Sequence, residues 1–271
     1  MRQSLQGPFE YLVRHVKDER QQNGRQSYRD KWWIHGESRP AFRQAVYNQQ
    51  RYIATARVSK YRLFVWLDTV VLPDSKVIAI TLSDDFSLGV LQSRIHEIWT
   101  LATCGWHGIG NDATYNPKEC FETFPFPVRS SDQEATIAAA AKELNELRNA
   151  WLNLPEWTKE EILEFPGSVD GPWARYVHDA NENGIGTVKY PRLVPKGDKE
   201  AEQLAKRTLT NLYNERPTWL DLAHKRLDEA VFAAYGWEAS ISDEEILARL
   251  LALNHERAAG ANRKDERGAT L

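Results

Sequence analysis

Three short segments rich in β-branched and aromatic residues set the strongest limit on the fold. They span residues 52–55, 63–71 and 76–81, and a Pro-Asp-Ser turn separates the last two. From residue 87 to residue 103 the pattern changes, and apolar side chains recur every three or four residues, which predicts one amphipathic helix. Strands followed by helices predict an α+β fold, with a mixed β-rich part ahead of a helical part.

The second half of the chain has a helical period. Apolar residues from Ile137 to Leu154 alternate three and four positions apart, which predicts a seam that packs on another helix. Ser131 and Glu134 just before the seam match a capping box. A further helix is predicted between Pro217 and Gly236, because proline favours a helix start and glycine a helix end.

These patterns predict the following division of the chain. Residues 1–130 form a β-rich domain and residues 131–257 a helical C-terminal domain. Residues 155–198 are rich in proline and glycine and are interpreted as an irregular connection within the second domain. Residues 258–271 are expected to be a disordered tail.

Charge is unevenly distributed along the sequence. Residues 1–62 hold 13 Lys and Arg against 5 Asp and Glu, although the whole chain has a net charge of −3. A basic front part is what a phosphate-binding surface requires, because Lys and Arg contacts supply most non-specific affinity for nucleic acid. A solvated surface that happens to be cationic explains the same charge equally well.

Compartment and membrane relations follow from the cysteines and from hydropathy. Cys104 and Cys120 show neither a pairing pattern nor metal-ligand spacing, so free thiols in a reducing compartment are expected and the location is taken as cytoplasmic. The start of the chain has no signal-like apolar core, and no apolar run is long enough for a membrane span. No membrane partner is therefore expected.

A search for catalytic chemistry finds no complete site. The sequence has no Pro-Pro dipeptide for a methyltransferase amino-group box, and its Gly-x-Gly pairs lack the strand-to-helix context of a cofactor loop. No histidine spacing suits zinc, so no metal ligands and no catalytic residues are assigned. Asp68, Asp74 and Lys76 could be arranged as a magnesium nuclease, but an ordinary turn explains residues 73–76 better.

Five stretches resemble one known family. They are residues 52–60 (YIATARVSK), 88–94 (LGVLQSR), 115–117 (YNP), 121–127 (FETFPFP) and 227–237 (LDEAVFAAYGW). The first four resemble the target-recognition domain of MmeI-like (type IIL) restriction-modification enzymes and related adenine-specific DNA methyltransferases. The last resembles the helical C-terminal segment of the same family.

The resemblance implies a role in DNA recognition without catalysis in this chain. In that family the recognition domain follows a methyltransferase domain that uses S-adenosylmethionine, and this sequence lacks such a domain. The chain is therefore identified as the specificity part of a restriction-modification or methylation system. Its expected partners are double-stranded DNA and a methyltransferase domain or subunit that binds the cofactor, and no cofactor is assigned to this chain.

Two regions are carried over from the resemblance as DNA-contacting. Base-reading residues vary within the family, so the resemblance implies regions and not individual contacts. The candidate residues are Arg57, Ser59, Lys60 and Arg62 at a strand end, Trp106, His107, Asn111, Asp112 and Thr114 in a loop, and Lys76 as a weaker candidate. Lys and Arg bond guanine acceptors, Asn pairs with adenine and Asp accepts from cytosine. For any single Lys or Arg, phosphate contact is the default expectation.

An alternative interpretation assigns the work to the helical half. The seam from Ile137 to Leu154 would then dock on a methyltransferase, and the chain would not read DNA itself. Packing within the chain is the commoner use of such a seam.

Overall fold

The computed structural model describes residues 6–34, 39–107, 112–128 and 130–268, with side chains described from residue 9 to residue 259 within these ranges. The fold is α+β, as predicted. The helices are α1 Gln6–His15, α2 Lys17–Gln21, α3 Gln26–Asp30, α4 Pro40–Ala45, α5 Asp85–Gln92, α6 Arg94–Thr103, α7 Ser131–Leu152, α8 Asp198–Leu204, α9 Leu209–Glu215, α10 Thr218–Tyr235 and α11 Asp243–Gly268. The strands are β1 Arg51–Ala56, β2 Val58–Ser59, β3 Val65–Asp68, β4 Val77–Ile80, β5 Gly105–His107, β6 Asp112–Thr114, β7 Thr158–Ser168, β8 Val177–His178 and β9 Ile185–Pro195.

Contacts divide the chain into two compact units. The first combines Met1–Asn48 with Lys159–Val194, and the second combines Gln49–Thr158 with Pro195–Leu271. Residue 130, where the sequence pattern places a boundary, lies inside the second unit. None of the helices in the described ranges is both long and apolar enough to cross a bilayer.

The first unit contains the short helices α1 to α4 and a three-stranded sheet in the order β7-β9-β8. This sheet corrects the prediction that residues 155–198 form an irregular connection. Most side chains of β7 and β9 are exposed and many are charged, so the segment lacks the apolar alternation by which strands are recognised. Cross-strand ion pairs such as Arg192 with Glu161, at 2.7 Å, take the place of an apolar face.

An aromatic cluster lies where the β7–β8 connection meets this sheet. Trp173 makes edge-on contacts with Phe165 and Tyr190, with ring centroids 5.0 and 5.1 Å apart. Gly186 allows close approach of the backbone there, because a Cβ at this position would lie 2.3 Å from the His178 carbonyl oxygen. The glycines that suggested a loop are thus needed inside strands.

The second unit is built on β1, which pairs antiparallel with β3 on one side and β4 on the other. Tyr52 and Ile53 on this central strand are fully buried. At Arg57 the chain changes partners, since the Arg57 amide donates to the Lys76 carbonyl and the Arg57 carbonyl accepts from the Tyr115 amide, both at 2.7 Å. The strand then continues as β2 in a second sheet, ordered β2-β6-β5.

The predicted helix over residues 87–103 is two helices. Ser93 has extended backbone angles and caps α6 by accepting from the His96 amide, while its hydroxyl donates to the Val90 carbonyl at 2.7 Å. A serine that satisfies both helix ends explains the break, which the apolar spacing alone conceals. His96, a polar residue of α6, is fully buried.

The seam on α7 packs within the second unit. Ile137, Ala141 and Leu144 are buried in one core with residues of α5 and α10. The helices approach closely at Gly89, where a Cβ would lie 2.7 Å from a methyl of Ile137 and 3.1 Å from one of Leu227. The seam is therefore occupied by the chain's own helices, and α7 is capped by Ser130 and Gln133 rather than by Ser131 and Glu134.

The aromatic box at residues 121–127 is not a strand. It follows a single π-helical turn, Pro117–Phe121, and its Phe124 ring packs against His96 at 4.7 Å between centroids. The Tyr235 hydroxyl at the end of α10 donates to the Pro125 carbonyl at 2.9 Å. The box thus connects the strand region to α6 and α10. Farther on, α11 runs to Gly268, past residue 258, where the sequence suggests a disordered tail.

Candidate nucleic-acid interface

The small sheet of β2, β6 and β5, hereafter the interface sheet, contains half of the ten residues predicted to contact DNA. Val58 and Ser59 pair with Thr114 and Ala113, and β5 pairs with the other edge of β6. The central strand of the other sheet leads directly into it through Arg57. Because β1 is buried and paired on both sides, the interface sheet extends from a rigid strand.

The register divides the candidate residues between two faces, since directly paired residues project to the same side. One face carries Val58, Thr114, Gly105, Asp112 and His107, and the other carries Ser59, Ala113 and Trp106. Every residue of β5 is exposed, and Trp106 is 53% exposed. Asn111 lies outside the described residues, so its predicted role has no structural account.

Two further candidates meet at the joint between the sheets. Arg57 is exposed, and its Nε donates to the Ser75 carbonyl at 2.8 Å, beside the exposed Lys76. The Arg57–Lys76 backbone bond places both cations at the start of the interface sheet. Sequence separation of nineteen positions conceals this pairing, which antiparallel strands create.

Lys60 is held by a residue that sequence reasoning did not select. Its Nζ donates to Asn214 Oδ1 at 2.8 Å, and the Tyr61 hydroxyl donates to the same oxygen at 3.0 Å. Asn214 belongs to α9, more than 150 positions away, so no local pattern could reveal it. Ser59 is engaged nearby, where its hydroxyl donates to the Tyr61 carbonyl at 2.7 Å.

Arg62 is a correction to the predicted site. Its side chain is only 7% exposed, with Nη1 donating to Thr55 Oγ1 at 3.0 Å and to the Ala56 carbonyl, and Nη2 donating to the Ala113 carbonyl at 2.9 Å. Burial lowers the pKa of this guanidinium. The guanidinium of Arg62 therefore links the end of β1 to β6 by hydrogen bonds and is not accessible to a ligand. A basic residue in a basic segment carries no sequence signal of its burial.

The proposed nuclease cluster has an ordinary structural explanation. Asp74 accepts from the Lys76 amide at 2.8 Å, and Asp68 accepts from the Val70 amide at 2.9 Å. Both are side-chain bonds to the amide two residues on, which is how aspartate stabilises turns. The residues therefore serve the β3–β4 connection.

Buried groups lie directly beneath the interface sheet. The Tyr115 hydroxyl contacts His96 Nε2 at 3.3 Å, and the Arg62 guanidinium lies 5.0 Å from the Tyr115 ring centre. Burial lowers the pKa of His96 to about 4 and raises the pKa of Tyr115. Both are therefore neutral near pH 7. The interface sheet differs from this buried layer, because the cations beside it, Arg57, Lys60 and Lys76, are accessible to solvent or to a phosphate.

Comparisons with known proteins concern the family and the fold of this chain. Residues 9–128 match the family model described as the MmeI target recognition domain. The fold also matches a solved structure of the type IIL restriction-modification enzyme MmeI in complex with DNA, with a TM-score of 0.58 and 16% sequence identity. That match covers 93% of this chain and 26% of the MmeI chain, so this chain spans about a quarter of its length. A comparison with curated proteins gave no match. The resemblance seen in the sequence is confirmed.

Proposed function

We propose that this chain reads a duplex DNA sequence as the specificity part of a type IIL-like restriction-modification or adenine methylation system. The observation that carries the proposal is the interface sheet itself. It gathers exposed cations, amphipathic rings and short polar side chains at the end of a buried strand, within residues matched by the target-recognition family model. The solved structure with the similar fold contains DNA, which supports the same partner for this chain.

The side chains divide into two proposed roles. Arg57, Lys60 and Lys76 are exposed, and we assign them to phosphate contact, which fixes position without reading sequence. Asp112 and His107 share one face of the sheet and are assigned to base edges, where carboxylate and imidazole groups accept or donate hydrogen bonds. Thr114 lies on the same face, but its hydroxyl oxygen is buried, so no base contact is assigned to it. Ser59 and Trp106, on the opposite face, are assigned to the flanking backbone and to apolar contact.

Catalysis is assigned outside this chain. A methyltransferase domain or subunit would bind S-adenosylmethionine and carry the reaction, and the target adenine would leave the base stack to reach it. This chain would contribute the register on the DNA. The whole assembly would work where duplex DNA and reduced cysteines coexist, as in the cytoplasm.

The docking alternative has lost the surface that motivated it. Ile137 and Leu144 of the predicted seam are buried against helices of the same unit. A methyltransferase could dock elsewhere, but no feature of the seam now calls for one. The DNA-reading proposal instead rests mainly on exposed residues, namely Arg57, Lys60, Lys76, Trp106 and His107.

The test is binding of the full chain to a randomised duplex pool across a salt series, with the bound fraction sequenced. We expect a steep salt dependence and an enriched short motif. Reversing Arg57, Lys60 and Lys76 to Glu should lower affinity by at least about a hundredfold at low salt, because each phosphate contact adds to the salt-dependent free energy.

The matched control reverses three exposed cations on helices, Lys142, Lys225 and Arg249, which changes the net charge equally. Binding by this variant should fall far less, because general repulsion is its main effect. If the interface variant binds as the wild type does, the assignment of this surface is wrong. A salt slope without motif enrichment would assign sequence reading to the missing domain.

A further inference from the structure

The segment that carries Lys60 is fixed by side chains from helices. Residues 60–64 connect β2 to β3, and both backbone polar groups of Phe64 bond to side chains rather than to a strand. The Phe64 amide donates to Gln92 Oε1 at 2.9 Å, and the Phe64 carbonyl accepts from Arg148 Nη2 at 2.7 Å. Two helices, α5 and α7, therefore supply the bonds that a neighbouring strand would otherwise give.

Arg148 is an unusual residue for its position. It continues the buried stripe of Ile137, Ala141 and Leu144 on α7, and it is only 2% exposed. Besides Phe64 it donates to Gln92 Oε1 at 3.1 Å and to the Tyr213 hydroxyl at 3.4 Å. None of these three partners is charged. Burying a guanidinium against neutral partners is costly, so an apolar residue would serve packing alone better.

The contacts of Arg148 continue to α9 and α10. The Tyr213 hydroxyl lies 2.7 Å from His224 Nε2, and burial lowers the pKa of His224 to about 4. The neutral ring accepts from the phenol while the phenol accepts from Arg148, so the donors run in one direction. Tyr213 is followed by Asn214, the residue that holds Lys60 and Tyr61. One end of residues 60–64 is thus fixed by Arg148 and Gln92, and the other by Asn214, the neighbour of Tyr213 in α9.

We propose that Arg148 is a positioning residue for DNA recognition, which rests on the proposed function. Through Phe64, and through Tyr213 beside Asn214, it fixes the backbone of residues 60–64 and hence the place of Lys60 next to β2. Arg148 itself contacts no DNA. DNA recognition then depends on the interface sheet and also on the residues of α7 and α9 that position Lys60.

The first test is hydrogen exchange on the full chain carrying Arg148→Met, which keeps a long unbranched side chain without donors. Within residues 60–64 the Phe64 amide should exchange at least about tenfold faster, because Gln92, which accepts from it, loses its own bond to Arg148. Amides of β1 should change much less. Leu144→Ala, one turn earlier on the same buried stripe, is the control, compared at equal global stability. Equal acceleration of residues 60–64 in the two variants would overturn the positioning role.

The second test is duplex binding by the same variants under conditions where each is folded. Arg148→Met should weaken binding about tenfold or more and reduce the salt slope by about one phosphate contact, as the loss of Lys60 would. Arg148→Lys should weaken binding by an intermediate amount. A lysine ammonium lacks the planar guanidinium of arginine, so it cannot donate to both Phe64 and Gln92 in the same way. Leu144→Ala should bind as the wild type does.

The outcomes separate this inference from the proposed function. If the wild type binds no DNA, the proposed function fails, while exchange still decides whether Arg148 orders residues 60–64. If the wild type binds and Arg148→Met binds equally well, the positioning role alone is refuted.

Discussion

Two pairs of cations show how differently one unit of this protein uses the same chemistry. Arg57 and Lys60 are exposed at the interface sheet and bond to a backbone carbonyl and a side-chain amide. Arg62 and Arg148 are buried, and between them they donate to three backbone carbonyls and three side-chain oxygens. An exposed cation exchanges its partner for a phosphate at little cost, whereas a buried one cannot leave without stranding its partners. The exposed pair is therefore suited to binding a phosphate, and the buried pair to stabilising the fold.

The difference also explains why the reading surface is attached to helices. The exposed layer is small and has three short strands, which are marginal alone. Tyr115 beneath it belongs to a core formed with the central sheet and α5, and a second core joins α5 to α7 and α10. Stability therefore resides in the buried layer, and the interface sheet can change residues without changing the fold. Three experiments can break or sharpen this comparison.

The largest effect should come from cutting the chain after residue 130. This removes Ile137, Leu144 and Leu227 from the core that also contains Phe86 and Val90. The fragment should lack a cooperative urea transition and native near-ultraviolet circular dichroism, because too little apolar surface remains buried. A chain ending at residue 259 is the control and should unfold cooperatively. Native-like unfolding of the shorter fragment would contradict a shared core.

The next effect compares Arg62→Met with Arg57→Met. Arg62→Met leaves the Thr55 hydroxyl and two carbonyls without their donor, and the free energy of unfolding should fall by about 2–3 kcal/mol. Arg57→Met should change stability by less than about 0.5 kcal/mol, as exposed substitutions do, while weakening duplex binding. Urea unfolding and fluorescence anisotropy measure the two effects. Equal losses of stability would remove the distinction between the layers.

The third effect, the smallest at neutral pH, is on the pH dependence of stability. Burial lowers the pKa of His96 and of His224 from 6.5 to about 4, so between these values the unfolded chain binds protons that the folded chain does not. Stability therefore falls as pH drops from 6.5 towards 4. Burial raises the pKa of Asp228 from 3.8 to about 6, so its proton stabilises the folded state as pH falls through that window. The Asp228 carboxyl therefore offsets part of the stability lost through the two histidines. Each proton changes the free energy of unfolding by about 1.4 kcal/mol per pH unit within its window.

Asp228→Asn should remove that offset and steepen the loss of stability below pH 6. Asparagine still accepts from the Arg94 amide, which Asp228 meets at 2.8 Å, so the capping contact is retained. The measurement is the urea midpoint between pH 7 and 4.5 for the wild type, this variant and Asp112→Asn on the interface sheet. Parallel profiles for the wild type and Asp228→Asn would refute the role of the buried carboxyl.

Much of the fold could be predicted because local pattern and environment agree. The strands β1, β3 and β4 lie within or beside the predicted segments, and α10 begins after Pro217 and ends at Gly236, whose φ is +70°. The Ser242 cap on α11 also forms, with Glu245 donating to its hydroxyl at 3.3 Å. In each case one or a few neighbouring residues decide the local geometry.

The failures occur where distant residues decide. The helix break at Ser93 is an exception, because this serine bonds to Val90 and His96, each only three positions away. The long strands β7 and β9, by contrast, pair across tens of residues and are largely exposed. At the site, Arg62 has the same sequence context as Arg57 and Lys60, but its surroundings come from β1 and β6. Sequence pattern therefore located the recognition region but did not separate its exposed cations from its structural one.

The sequence by itself determined the α+β class, the β-rich recognition region and the apolar stripe on α7, because hydrophobic period and turn chemistry are local properties. Tertiary structure decided which cations face solvent, which face of the interface sheet holds each side chain, and that Asn214 and Arg148 fix residues 60–64. These depend on burial and hydrogen bonding between residues tens to more than a hundred positions apart. Only the packed chain brings such groups within bonding distance.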